Sequence, residues 1–303
     1  MTKPTSTRLP VYFLSHGGPT FMYRDGAGGQ PDAWDFINGL GKHILNDIKP
    51  KTILVVSAHW ASGDETSDAG YTYSPAKGAT AIQIAHGPDA DGNHKLIYDF
   101  SNFPAHMYKE KFPSKPNLKL AKNVKSTLAA SGIESEIVDR GIDHGVWVPF
   151  KVAFPDGLGD IPLIQVSLFN SEDPERHYKL GAALAPLRDQ GVLIVTSGMS
   201  VHNLLFRRNP GPFKFSAEFD ELLKDAVEAQ EGQDRLNALT HLLTLPVARD
   251  AHPTYEHILP IHVAAGAAFD DKAKRLFTAV SGSLAWGEYI FGDDVKGGVC
   301  SVA

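Results

Sequence analysis

The chain has 303 residues, 43% hydrophobic and 21% charged, enough for one ordinary globular domain with a sizeable core. A net charge of −6 argues against nucleic-acid or anionic-membrane partners, and a single cysteine, Cys300, excludes an internal disulfide and a cysteine-rich metal site. The opening MTKPTSTRLP lacks a signal-peptide core, and no apolar run reaches the roughly 18 residues that span a bilayer, so a cytoplasmic protein is expected.

Residues 1–9 are expected to form a flexible tail. Apolar runs then recur at 11–14, 52–57, 161–168 and 192–196, short enough and continuous enough to be strands buried on both faces. Helical spacing occupies 117–131, 175–189, 216–229, 235–245 and 260–268. Pro186 should kink or end the second helix, and Pro260 should start or kink the last. Residues 61–92, rich in Gly, Asp, Ser and Thr, read as a long loop with room for a hairpin, and 248–254 read as another loop. No repeat or linker divides the chain. The alternation predicts a single α/β domain over 1–303, with a mostly parallel central sheet flanked by helices.

Thirteen histidines are many, and their places matter. Strand 11–14 runs through Ser15 into His16, strand 52–57 is followed by His59, and strand 192–196 leads to His202. The C-terminal edge of a parallel sheet is where ligands bind, so the three can converge there. Gly17 and Gly18 behind His16 permit a tight turn and a close backbone approach. One histidine near a strand end is usually structural; three such placements point to a site. His144, between Asp143 and Gly145, and His257, beside Glu256, sit in unusual settings. His43, His94, His106, His177 and His241 read as surface or structural residues. His86, His252 and His262 receive no role.

Imidazole is the commonest transition-metal ligand. Such ligands suit an iron(II) that takes up substrate and oxygen together, and equally a zinc that activates water. No GxSxG elbow, Walker A motif, strand-following GxGxxG, HExxH or HxxEH is present, and GAGG at 26–29 has the wrong context for a phosphate.

The stretches LSHGGPT, VVSAHW, IYDFSNFP, DHGVWVPF, SGMSVHNL and PTYEHILP, in this order and spacing, resemble the extradiol ring-opening dioxygenases of the LigB superfamily, in its 4,5-DOPA dioxygenase-like branch. The resemblance covers about residues 11–268. It implies a non-haem Fe(II) centre, with Zn(II) an alternative occupant, and O2-dependent opening of a catecholic small molecule. It implies His16, His59 and His257 as metal ligands, with Glu256 as the neighbour that more distant members use instead. His202 is implied either as a fourth ligand or as an acid/base, and His144 as the substrate-side acid/base. Tyr255 departs from the family, where a proline commonly precedes the Glu-His pair.

The residue types fit this chemistry. A catechol must lose protons to chelate a metal, and ring opening needs a proton donor; histidine titrates in the right range for both. Asp143 beside His144 is expected to favour its protonated form. Trp60, Trp147, Phe21 and Tyr255 adjoin the motifs and either wall an aromatic pocket or belong to the core. Two other readings stay open: a zinc-dependent hydrolase on the same histidines, and a non-catalytic interaction protein like the Memo-like members of the superfamily, which has no need of a full histidine set. The expected partners are a small catechol and O2, with no nucleic acid and no membrane, in a monomer or homodimer.

Overall fold

The four apolar runs become four adjacent parallel strands, each buried along its whole length. The computed structural model describes residues 8–26, 28–63, 81–206, 209 and 211–293. In chain order the strands are β1 (Val11–Ser15), β2 (Thr52–Ala61), β3 (Ile82–Ala85), β4 (Ser135–Val138), β5 (Leu163–Leu168), β6 (Val192–Gly198), β7 (Val201–His202), β8 (Ala273–Phe277), β9 (Val280–Ser281), β10 (Leu284–Ala285) and β11 (Glu288–Phe291). The α-helices are α1 (Pro31–His43), α2 (Leu118–Ala130), α3 (His144–Ala153), α4 (Pro174–Leu184), α5 (Lys214–Glu228), α6 (Gly232–Leu242), α7 (Pro246–Ala251) and α8 (Leu259–Ala268).

The main sheet runs β4-β3-β5-β2-β6-β1-β11-β8. Its centre, β5-β2-β6-β1, is parallel; β3 meets β5, and β11 meets β1 and β8, antiparallel. A small second sheet, β7-β10-β9, lies in the C-terminal third of the chain. Alternate residues of each central strand feed two cores. Val11, Phe13, Leu54, Val56 and Ile194 join α2 and α4–α8 on one face; Tyr12, Leu14, Ile53, Val55 and Leu193 join α1 and α3 on the other. This is the expected single-domain α/β architecture, with a mostly parallel sheet between helical layers. Among the described residues no helix is long and apolar enough to cross a membrane.

Several boundaries shift for local reasons. Asn117 does not start α2 as a helical residue; it caps it, its side chain accepting from the Leu120 N–H at 3.0 Å. Pro186 ends α4, the chain continuing as a 3-10 turn over Ala185–Gln190, and Pro260 sits in the first turn of α8. The expected loop at 248–254 is helical through Ala251. Of the expected loop at 61–92, residues 64–80 lie outside the described residues, and Ile82–Ala85 form β3. Residues 1–7 of the expected tail also lie outside, whereas Leu9 is buried and its carbonyl accepts from Arg188 Nε at 2.6 Å.

Two helices carry no expectation from the pattern. Helix α1 contains Gly39 and Gly41, which ordinarily argue against a helix, but a Cβ on Gly41 would strike the backbone of Ala153. The glycine is there to let α1 approach α3. Helix α3 is buried on almost every side, so it shows no amphipathic period, and Pro149 interrupts it. The same device joins α4 to α8: a Cβ on Gly181 would strike the Val263 carbonyl, and one on Gly266 the Tyr178 carbonyl.

Four histidines outside the cleft described below are buried and neutral. His94, His177, His252 and His262 each titrate at about 4, chiefly because burial disfavours their charge. His94, His177 and His252 hydrogen-bond backbone carbonyls. The unfolded chain protonates each near pH 6.5 and the fold does not, so this stability is present above pH 6.5 and is lost as pH falls toward 4. Glu288 and Asp220, raised by burial, act in the opposite sense. The neutral histidines outnumber these two acids, so the fold loses stability from pH 6 to pH 5, at about 1.4 kcal/mol per pH unit for each proton that the unfolded chain binds in excess. Denaturant titrations of metal-free protein at pH 7, 6 and 5 should show that loss; a flat profile would mean these histidines are not neutral in the fold.

Candidate active site

At the end of β1 the chain turns at once. Gly17 has φ +63°, and a Cβ there would also press on Phe21 at 3.0 Å, so the turn requires glycine. Gly18 has an ordinary φ of −85° and open space around it, so of the two glycines only Gly17 is needed for the turn. The backbone N–H of His16 donates to the Gly198 carbonyl at 3.0 Å, fixing it beside the end of β6.

His59 lies on β2 rather than past it. Val56 pairs with Val166 and Ala61 with Leu168, so residues 57–60 stand opposite residue 167 alone. This bulge extends the strand and re-aims His59. His257 sits in the turn before α8, where its carbonyl accepts the Met199 N–H at 3.0 Å, again at the end of β6. His202 lies on β7, opposite Leu284 of β10. His144 is the first residue of α3, and its backbone N–H donates to Asp99 Oδ1 at 2.9 Å.

Five histidines from five segments thus line one cleft of about 850 Å³. The ring centroids of His16, His59 and His257 form a near-equilateral triangle, with sides of 5.0, 4.9 and 5.3 Å. His144 stands 4.0 Å from His59, and His202 stacks on His257 at 3.6 Å with only 14° between the rings.

Hydrogen bonds decide which nitrogen of each ring faces the cleft. Ser197 Oγ donates to the Gly145 carbonyl, so it can only accept from His16 Nδ1, 2.9 Å away. Glu256 Oε1 lies 2.9 Å from His257 Nδ1, and Asp99 Oδ2 lies 3.2 Å from His59 Nδ1. His16 and His257 therefore carry the hydrogen on Nδ1 and keep a lone pair on Nε2, and the carboxylate oxygen facing His59 Nδ1 favours the same arrangement there. His59 Nε2 and His257 Nε2 stand 3.2 Å apart. With a metal–nitrogen bond of about 2.1 Å, neighbouring ligand nitrogens stand about 3.0 Å apart in an octahedral site and about 3.4 Å in a tetrahedral one. The spacing and the donor set both fit a divalent ion, and His16, His59 and His257 bring ligand atoms within 4.8 Å of one another.

The other two histidines and Glu256 are placed differently. Glu256 meets His257 on its Nδ1 side, where it orients the ring. The planes of His202 and His257 are nearly parallel, so their lone pairs run alongside each other instead of meeting. His144 turns its Nδ1 to Asp99 Oδ2 at 2.9 Å.

Burial, with the neighbouring imidazoles adding to it, holds His16, His202 and His257 well below the ordinary histidine range. His59 differs: burial is the largest influence and opposes its charge, but Asp99, Asp143 and Glu256 together prevail and raise it. Burial also opposes the charge on Asp99, yet His144 and His59 prevail and hold it well below the usual carboxylate range.

One expectation is corrected here, and one open alternative is decided. The carboxylate beside His144 in space is Asp99, not Asp143: Asp143 turns away from the cleft and accepts from Ser57 Oγ, Arg140 and Gln165 Nε2. Sequence neighbours at a helix start point in different directions, so adjacency in the chain misleads. Trp60, Trp147, Phe21 and Tyr255 belong to the core, all nearly inaccessible to solvent. The aromatic walls are Phe100, Phe103 and Trp286, with Met199, Leu204 and Leu205 adding apolar surface. Asp99 and Ser197 carry no individual signal in the sequence, although Asp99 falls inside IYDFSNFP.

The fold is of the α/β class, and its histidine-rich cleft at the C-terminal edge of a parallel sheet holds three imidazoles that could bind one ion. The model of the catalytic LigB subunit of aromatic ring-opening dioxygenase matches residues 10–291, and the chain belongs to that family. It is 35% identical over 291 residues to the 4,5-DOPA dioxygenase extradiol-like protein of Schizosaccharomyces pombe, covering 90% of each chain. It is 34% identical over 287 residues to the 4,5-DOPA dioxygenase extradiol of Beta vulgaris, covering 93% of this chain and 96% of that one. The crystal structure of uncharacterized protein JW3007 from Escherichia coli K12 shares the fold with a TM-score of 0.69 and 24% identity, over 94% of this chain and all of that one.

Proposed function

We propose that the protein is a non-haem iron(II) extradiol dioxygenase that opens the ring of a catecholic small molecule with O2. The observation that carries this reading is the trio His16, His59 and His257, each with Nδ1 engaged and Nε2 turned inward, beside two histidines left for the substrate. Bound iron(II) supplies the redox chemistry that joins O2 to the ring.

The protein's own residues do the rest. Phe100, Phe103 and Trp286 offer an aromatic slot, in a cleft of a volume usual for small-molecule sites. His202, neutral because it is buried, is suited to take a proton from a catechol hydroxyl. His144, which lines the cleft with Nδ1 facing Asp99, is suited to hand a proton to the opening ring. The cleft places both within reach of one bound ligand.

Iron(II) loaded under anaerobic conditions, followed by oxygen uptake with a panel of catechols beginning with DOPA, tests the proposal. The expected result is stoichiometric oxygen consumption and a yellow ring-opened semialdehyde. No uptake across the panel with verified iron occupancy would overturn it and leave a zinc hydrolase on the same three histidines or a non-catalytic interaction protein.

A further inference from the structure

We infer that Asp99 is a positioning residue that binds the ligand His59 and the proton-handling His144 into one unit, by holding both rings with hydrogen on Nδ1. The inference rests on the roles proposed for those two histidines. Asp99 follows Tyr98 in the irregular segment after the isolated bridge between Leu96 and Ile142, and it is buried with its side chain inaccessible to solvent. Its two oxygens have separate tasks. Oδ1 accepts the backbone N–H of His144 at 2.9 Å, which places the first turn of α3. Oδ2 lies 2.9 Å from His144 Nδ1 and 3.2 Å from His59 Nδ1. Both contacts are at ion-pair distance but off the line of a good hydrogen bond, so the oxygen acts on the two rings through its charge and its position between them.

That division makes the carboxylate hard to replace. The amide introduced by Asp99→Asn has one acceptor and one donor end. If its oxygen faced the His144 backbone N–H, its NH2 would face both Nδ1 atoms. Each ring would then have to carry its hydrogen on Nε2, which blocks coordination by His59 and reverses the proton inventory of His144. If the amide turned over, its NH2 would confront the His144 N–H and the start of α3 would lose its anchor. Only a group that accepts on both sides satisfies all three donors.

The arrangement also explains why His59 and His144, rings with different roles, stand with centroids only 4.0 Å apart. The two rings share one acceptor, so a rotation of either moves the oxygen that orients the other.

The test uses zinc as the probe ion and nitrogen-15 NMR of the imidazoles, with spectra of His144→Ala and His59→Ala supplying the assignments. In wild-type protein at neutral pH, His59 and His144 should both show Nδ1–H. A wild-type His144 with Nε2–H overturns the inference without any Asp99 variant, so misfolding cannot shield it. In Asp99→Asn, zinc affinity should fall about 10–100-fold, the scale of losing an outer partner of a ligating histidine. The His144 tautomer should switch, and kcat should fall about 100-fold or more with little change in KM. At saturating metal, Asp99→Asn combined with His144→Ala should lose less turnover than the product of the two single losses, because one of the two rings that Asp99 holds is already gone. Unchanged zinc affinity and tautomers in a folded Asp99→Asn protein would also overturn it. Zinc affinity and tautomer are read without turnover, so an inactive wild type would refute the dioxygenase proposal and leave this inference to its own result.

Discussion

Replacing His16, His59 or His257 singly with alanine should abolish ring opening and weaken metal binding by more than about 100-fold, beyond the cost of losing an outer partner. Each of the three brings one ligand atom within 4.8 Å of the others. His202 lies nearest to filling a gap, but its ring is stacked face to face on His257. Glu256 is the other neighbour, and its Oε1 is engaged by His257 Nδ1. Metal content of each variant after iron loading and desalting, measured by elemental analysis, checks the expectation. Full metal occupancy in all three variants would remove the basis of the site.

His144→Ala should separate binding from chemistry. His144 stands beside the trio, 5.9 Å from His16 and 4.0 Å from His59 by ring centroid, and it faces Asp99. Removing it leaves Ser197, Glu256 and Asp99 in place on the three proposed ligands, so the metal should be retained with affinity within about 10-fold. Turnover should fall about 100-fold or more, the usual scale for an acid/base group. His202→Ala should also lose turnover, and its parallel stacking predicts that it keeps the metal as well. Turnover and metal content measured on the same preparations decide the matter. Near-normal turnover of His144→Ala at every pH would assign proton transfer elsewhere.

Much of this was legible in the sequence where burial leaves a pattern. The strands at 11–14, 52–57, 161–168 and 192–196 are apolar runs because both faces of the sheet are covered. Three of their ends deliver His16, His59 and His202 to one edge, so the place of the site follows from the order of strands. What stayed hidden depends on contacts between distant segments. Helix α3 has no polar face to mark it. Asp99 meets its partners far away in the chain, at His59 and His144, and no local pattern foretells that. The stack of His202 on His257 likewise exists only in three dimensions. Asp143, next to His144 in the chain, drew attention that belongs to Asp99.

The position of β1 in the sheet sets a timetable. This strand pairs with β6 on one side and β11 on the other, so Val11–Ser15 has no neighbour until Val192–Gly198 has been made. At about 5–20 residues per second on the ribosome, that wait is roughly 10 to 35 s. For that interval an apolar segment with two unpaired edges is open to wrong partners, the circumstance in which a nascent chain most needs a chaperone. His16 cannot take its place before β6 arrives, and His257 follows later still. The three proposed ligands therefore come together only late in synthesis, after β6 has paired with β1 and His257 has been made.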